Sequence, residues 1–212
     1  MIKKHITRND IQLLVISIVL AILVLFLHNI YENKEVQKNL QDNIIRLHIR
    51  GKSNSSEDQS FKIYIRDMVL TYVEENLSKG YIKEDVETFI TSNIEAIEDY
   101  VDYLIKSGGY SYTSEVLFDY EDFPLKTYGF ITVPKGTYKS LIINLDKGYG
   151  NNWWCVVFPP LCYVESDTLT FSDESIKTLE TILEEETFNS ITSTKGNITM
   201  DFKILEIFEK MK

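Results

Sequence analysis

The sequence predicts an α+β fold: a single domain in which an antiparallel sheet packs with two long helices, preceded by an N-terminal transmembrane or signal segment. Three observations predict it. An apolar run, Ile11 to Ile30, follows a basic start. Between Glu57 and Ile105 the apolar residues recur three and four apart, which is helical spacing. From Tyr112 onward the pattern changes to short stretches of β-forming residues separated by Gly and Pro.

The apolar run is 20 residues long. As a helix it would measure about 30 Å, the hydrocarbon thickness of a bilayer. It has no polar face for a soluble domain to expose, so a buried core helix fits it poorly. Lys3, Lys4 and Arg8 precede the run, while Lys34 and Lys38 follow it. That bias places the N-terminus in the cytoplasm and the body outside. No small-x-small site appears around Leu27-His28-Asn29-Ile30-Tyr31, which favours an uncleaved anchor over a removed signal peptide. The division is therefore residues 1–30 as signal or signal-anchor helix, 31–43 as polar spacer, and 44–212 as the folded body.

In the body, Ile45, Leu47 and Ile49 alternate with Arg46 and His48, which predicts a strand with one face buried. Gly51 to Ser55 reads as a loop. Ser56 and Gln59 have capping-box spacing, and a helix follows over Glu57 to Leu77, ended by Gly80. A second helix carries Val86, Phe89, Ile90, Ile94, Ile97, Val101, Leu104 and Ile105 on one face, up to Gly108-Gly109. Strands are expected at Tyr112 to Tyr120, Tyr128 to Val133, Tyr138 to Leu145 and Trp153 to Phe158. Pro159 and Pro160 must end the last of these, because neither donates a backbone hydrogen bond. A thinner helical pattern runs from Ser172 to about Glu185. A polar loop over Ser190 to Lys195, a strand over Asn197 to Ile204 and a short helix over Leu205 to Met211 complete the chain.

Charge excludes one class of function. The formal net charge is −10, and beyond residue 30 it is −12. Such a body is repelled by phosphate backbones, so nucleic acid is not the expected partner. No cofactor or metal site is expected either. One His (His48) and two Cys in the body fit no zinc spacing, and Gly148-x-Gly150 lacks the third glycine and the helix of a dinucleotide fingerprint. It reads as a tight turn. No Gly-x-Ser-x-Gly elbow is present. A Cys–His hydrolase is weakly supported, because a strand histidine is a poor match for a catalytic base, and no catalytic residue is assigned.

The densest segment is Trp153-Trp154-Cys155-Val156-Val157-Phe158-Pro159-Pro160-Leu161-Cys162. A turn at the two prolines could bring Cys155 and Cys162 together in an oxidising compartment; two buried free thiols are the alternative. Trp153, Trp154, Phe158, Pro159, Pro160 and Tyr163 are candidates for a protein-binding surface, as are Arg46 and His48. Strand alternation predicts that one Trp faces the core and the other faces out.

Three segments carry a resemblance to a family. The first runs from Arg46-Leu47-His48-Ile49 through Ser53, Ser55 and Glu57-Asp58-Gln59 to Lys62 and Arg66-Asp67. The second is Lys126-x-Tyr128-Gly129 with Pro134-x-Gly136-x-Tyr138. The third is Gly148-x-Gly150-x-Asn152-Trp153-Trp154-Cys155 through Phe158-Pro159-Pro160-Leu161-Cys162. Over about residues 44 to 165 the chain resembles the stage II sporulation protein R family of endospore-forming bacteria. The resemblance implies a non-enzymatic signal, exported across the forespore membrane into the space between forespore and mother cell. There it would activate a membrane-embedded aspartic protease of the mother cell, which matures the sigma-E precursor. On this reading residues 44–212 are an extracytoplasmic signalling domain, and residues 11–30 hold the membrane. A cell-wall-acting enzyme and a structural protein of the spore envelope are the competing readings. One departure stands out: where the family loop commonly reads Ala-Asn-Ser-Asp, this chain has Gly51-Lys52-Ser53-Asn54.

Overall fold

The computed structural model describes residues 8–162 and 171–192. The chain divides into two compact units, Met1–Lys38 and Asn39–Lys212. In the first unit, helix α1 (Arg8–Asn43) carries the apolar run. Between Ile11 and Leu27 its Leu, Ile and Val side chains stand exposed, and the helix is long and apolar enough to cross a membrane. The stretch expected as a spacer is helical too, since α1 continues to Asn43.

The second unit is α+β, as its pattern predicts. Its elements are β1 (Ile45–Arg50), α2 (Ser56–Glu75), α3 (Lys83–Ser92), α4 (Ile94–Ser107), β2 (Ser114–Phe123), β3 (Lys126–Tyr128), β4 (Ile131–Val133), β5 (Gly136–Leu145), β6 (Asn152–Phe158), α5 (Asp173–Ile182) and α6 (Glu185–Thr192). The main sheet has the order β2-β5-β1-β6. It is mixed rather than wholly antiparallel: β1 runs parallel to β5, with Leu47 opposite Leu141, and antiparallel to β6. The parallel pair arises because three helices, β2 and the β3–β4 hairpin intervene between β1 and β5, and that length permits a crossover which a hairpin does not.

One face of this sheet meets the helices. Leu47 and Ile49 of β1, Leu141 and Ile143 of β5, and Cys155 and Val157 of β6 pack against Ile65 and Val69 of α2, Ile90 of α3, and Val101 and Ile105 of α4. These side chains are buried, and their removal from water is the main stabilising term.

Several boundaries differ from expectation for local reasons. The cap of α2 is Ser55, whose Oγ accepts from the Asp58 N–H at 3.1 Å, while Gln59 reaches the Ser53 carbonyl instead of closing a box with Ser56. The long second helix is two, α3 and α4, broken at Asn93. The Asn93 side chain donates to the Phe89 carbonyl, a local bond that competes with the helical ladder. The strand expected over Tyr128 to Val133 is a hairpin arm, turned at Gly129 with φ +52°. The helix expected from Ser172 to Glu185 starts with Ser172 as its cap but stops at Ile182, and α6 then takes in Ser190 to Thr192 of the expected loop. The strand expected over Asn197 to Ile204 and the helix over Leu205 to Met211 lie outside the described residues.

Candidate functional site: a buried polar layer and a bridged pair of loops

Along β1 the side chains that do not face the helices are Arg46, His48 and Arg50. The period-two pattern predicted one buried face; the structure buries both, with Arg46 at 0% exposure and His48 at 1%. The cover comes from elsewhere. Phe123 ends β2, Tyr138 lies in β5, Trp154 pairs across from His48 on β6, and Tyr128 reaches in from the β3–β4 hairpin.

The Arg46 guanidinium sits in an aromatic cage, 4.2 Å from the Phe123 ring centre, 5.1 Å from Tyr138 and 5.9 Å from Tyr128. Its Nε donates to the Cys155 carbonyl at 2.8 Å and its Nη2 to the Tyr128 hydroxyl at 2.9 Å. The Tyr128 hydroxyl in turn donates to the Trp154 carbonyl at 2.9 Å. Arg46 Nη1 is buried without a hydrogen-bond partner. Burial lowers the Arg46 pKa, against the pull of Tyr128 and Tyr138, and raises the pKa of both tyrosines. The cation is thus held by ring faces and two hydrogen bonds rather than by a carboxylate.

His48 stacks on Trp154, with ring centres 3.5 Å apart and an 18° tilt. Its Nδ1 lies 2.7 Å from Glu121 Oε2. Burial pushes the imidazole below its ordinary pKa, and the Glu121 contact partly opposes that shift. Glu121 also binds Arg50 through its other oxygen, and Arg50 Nη1 donates to Asn144 Oδ1 at 2.7 Å. A chain of contacts therefore runs Trp154–His48–Glu121–Arg50–Asn144 and touches all four strands of the sheet.

The β1–α2 loop and the β5–β6 loop are bridged at the sheet's end. The Gly150 N–H donates to the Gly51 carbonyl at 2.6 Å, and the Gly51 N–H to the Asn151 carbonyl at 3.3 Å. A side chain on Gly150 would collide with the carbonyl oxygens of Ser53 and Gly51, so only glycine permits the approach. Buried Lys62 clamps the junction, donating to Asn151 O at 2.8 Å and to Gln59 Oε1 at 2.5 Å. The two departures from the family loop that change charge, Lys52 and Asn54, have partners here. The Asn54 side chain accepts from the Asn151 N–H at 2.7 Å, and Lys52 lies over the Tyr112 ring at 4.7 Å.

The densest segment forms β6 and the turn after it. Cys155 and Cys162 are joined by a disulfide with Cα atoms 5.3 Å apart. Closing so short a loop contributes about 2 kcal/mol in the chain-entropy account. The strand ends at Phe158, where the prolines begin. Trp153 and Trp154 point to opposite faces and both are half-buried. Trp153 packs on the helix side with Arg66 at 4.5 Å from its ring centre, and Trp154 lies on the His48 side. Phe158 and Pro159 are buried, and Pro160 is half-buried with its carbonyl accepting from Ser175 Oγ at 2.8 Å. Tyr163 lies outside the described residues. Of the named candidates, the structure brings Arg46, His48 and Trp154 into one layer and puts Trp153 and Phe158 on the other side of the sheet. Glu121 and Phe123 complete that layer and went unnoticed in the sequence. The available signal was three basic side chains at alternate positions of one strand, a pattern that calls for acidic or aromatic partners. Among the described residues, no group of three His, Cys, Asp or Glu side chains gathers as metal ligands.

Fold and layer together define an α+β domain with a disulfide-bonded strand, carried behind an apolar helix fit for a signal or anchor segment. The chain belongs to the stage II sporulation protein R family, whose model matches residues 41–168 and so spans all three motif segments. It is 35% identical over 126 residues to stage II sporulation protein R of Bacillus subtilis (strain 168), a match covering 59% of this chain and 56% of that protein. The chain thus spans about half the length of the curated relative it matches. No solved structure matches it. Membership places its role in sporulation.

Proposed function

We propose that this chain is an exported sporulation signal. It acts in the space between forespore and mother cell, tethered through residues 11–30, and activates by contact a membrane-embedded aspartic protease of the mother cell that matures the sigma-E precursor. The observation that carries this reading is the union, in one chain, of a membrane-length apolar helix with a body of a sporulation family. The disulfide between Cys155 and Cys162 supports an oxidising compartment for the body, residues 44–212.

The mechanism is a population shift. A bound protein moves an equilibrium only by its differential affinity for the two states, and turning a mostly inactive protease into a mostly active one takes about 5.5 kcal/mol. The half-exposed Trp154 is the anchor best placed to contribute, since its ring is already fixed by His48 and so loses little freedom on binding. Turnover of a substrate by this chain plays no part.

Co-expression of the chain, the protease and the sigma precursor in a non-sporulating host tests the proposal. Precursor cleavage should depend on this chain and vanish when residues 11–30 are deleted. Cleavage that proceeds equally without the chain removes the activator role. Release of soluble fragments from purified cell wall by the isolated chain would install the enzyme reading in its place.

A further inference from the structure

The edge of the sheet at β2 is unevenly protected. Ser114 and Val116 turn their N–H groups outward, and both are occupied: Ser114 donates to Asp102 Oδ1 at 2.7 Å and Val116 to Glu98 Oε2 at 2.8 Å, both on α4. The two-residue period of a strand then turns the N–H groups of Phe118, Tyr120 and Asp122 outward as well. Tyr120 donates only to the neighbouring Asp119 carboxylate, at 2.7 Å. Past Val116 no helix carboxylate reaches the edge among the described residues, and no proline interrupts the strand before its end. The side chains there are open to solvent, with Leu117 43% and Tyr120 65% exposed on opposite faces of the strand. A ladder left unpaired among the described residues, with an exposed apolar side chain on each face, is an arrangement that accepts an added strand.

The charge on this edge selects the occupant. Ser114–Phe123 contains Glu115, Asp119, Glu121 and Asp122 and no basic residue. Glu121 is committed to Arg50 and His48, but Glu115, Asp119 and Asp122 are exposed, and Glu98 and Asp102 add their charge at the same edge. Lys139 on β5 is drawn over the Phe118 and Tyr120 rings. A second copy pairing edge to edge would set these carboxylates against their own kind, which is repulsive. A segment with lysine or arginine at alternate positions would instead gain backbone bonds and opposite charges together.

We propose that the outer edge of β2 from Phe118 to Asp122 is a docking site for an extended, basic segment of a partner protein, which pairs as a fifth strand of the sheet. The proposal stands apart from the activator reading, because it concerns how this chain binds and not what the binding does.

Amide hydrogen exchange on the full chain in neutral detergent tests it, with a short peptide alternating lysine and valine as the probe and its glutamate–valine counterpart as the control. The basic peptide should slow exchange at Phe118 and Asp122 about tenfold, and high salt should reverse the effect. Tyr120→Pro should abolish the slowing without unfolding the sheet, since the Tyr120 N–H is not part of the β2–β5 ladder. Should that variant misfold, the double change Asp119→Lys with Asp122→Lys keeps the backbone and should abolish it through charge. Unchanged exchange at both amides overturns the proposal, as does equal protection by the two peptides. Protection already present without peptide also overturns it, since the chain's own residues or a second copy then fill the edge.

Discussion

Both faces of β1 are covered, the polar one completely at Arg46 and His48 and partly at Arg50, and they are built on opposite principles. Ile45, Leu47 and Ile49 enter an apolar core shared with three helices, where shape and contact area decide stability. Arg46, His48 and Arg50 enter a polar layer in which each group has particular partners, some of them more than seventy residues away. The first face tolerates any hydrophobic side chain of similar volume. The second tolerates few changes, because removing one member strands the polar atoms of another.

The comparison can be broken most forcefully on the apolar side. Leu47→Ala should lower unfolding free energy by about 3–5 kcal/mol, the cost of deleted methyl groups plus a cavity. Urea denaturation of the body reads this as a lower midpoint at unchanged slope. Next is Arg46→Ala, expected to cost about 3 kcal/mol because the Cys155 carbonyl and the Tyr128 hydroxyl lose a buried partner. Arg46→Met sharpens the contrast. The aromatic cage can accept an uncharged chain of similar length, so Met should recover a large part of the Ala loss. If Met proves as damaging as Ala, the hydrogen bonds of the guanidinium matter more than its volume.

Trp154→Ala follows, at about 2 kcal/mol for a half-buried ring. Trp153→Ala should destabilise to a similar extent, but only Trp154→Ala should also change the titration of His48, read by NMR of the imidazole. The smallest effect is a slope with pH. Burial lowers the His48 pKa from 6.5, so the unfolded chain takes up a proton at a pH where the folded one still resists it. Stability should be fully present above pH 6.5 and decline as the pH falls toward the lower folded-state value. His48→Gln should flatten the curve in that window. Leu47→Ala should shift the whole curve down and leave its shape alone.

Half of this design is legible in the sequence. The alternation of Ile45, Leu47 and Ile49, the 3–4 spacing of the α2 and α4 faces, and the stop at Pro159 are local signals, and the elements they predict are present. The polar layer is not legible in that way. Arg46 and His48 at alternate positions look like a solvent-facing edge, because nothing near them announces Phe123, Tyr128 or Tyr138. The break at Asn93 also escapes periodicity, since the apolar residues keep their spacing across it. The disulfide stood between two readings, and the turn after Phe158 supplies the proximity that composition alone could not. Of the binding candidates, Trp154 was placed by alternation on the side away from the helices or toward them with equal ease. The register with His48 settles which.

β1 lies inside the sheet, yet it comes first in chain order among the strands of the described residues. Arg46 waits 109 residues for the carbonyl that accepts its Nε. Pairings so distant in sequence make early collapse unrewarding and folding slow. Local helices can form early, but the central sheet cannot close until β5 and β6 have been made, so the last third of the described chain decides when the fold locks.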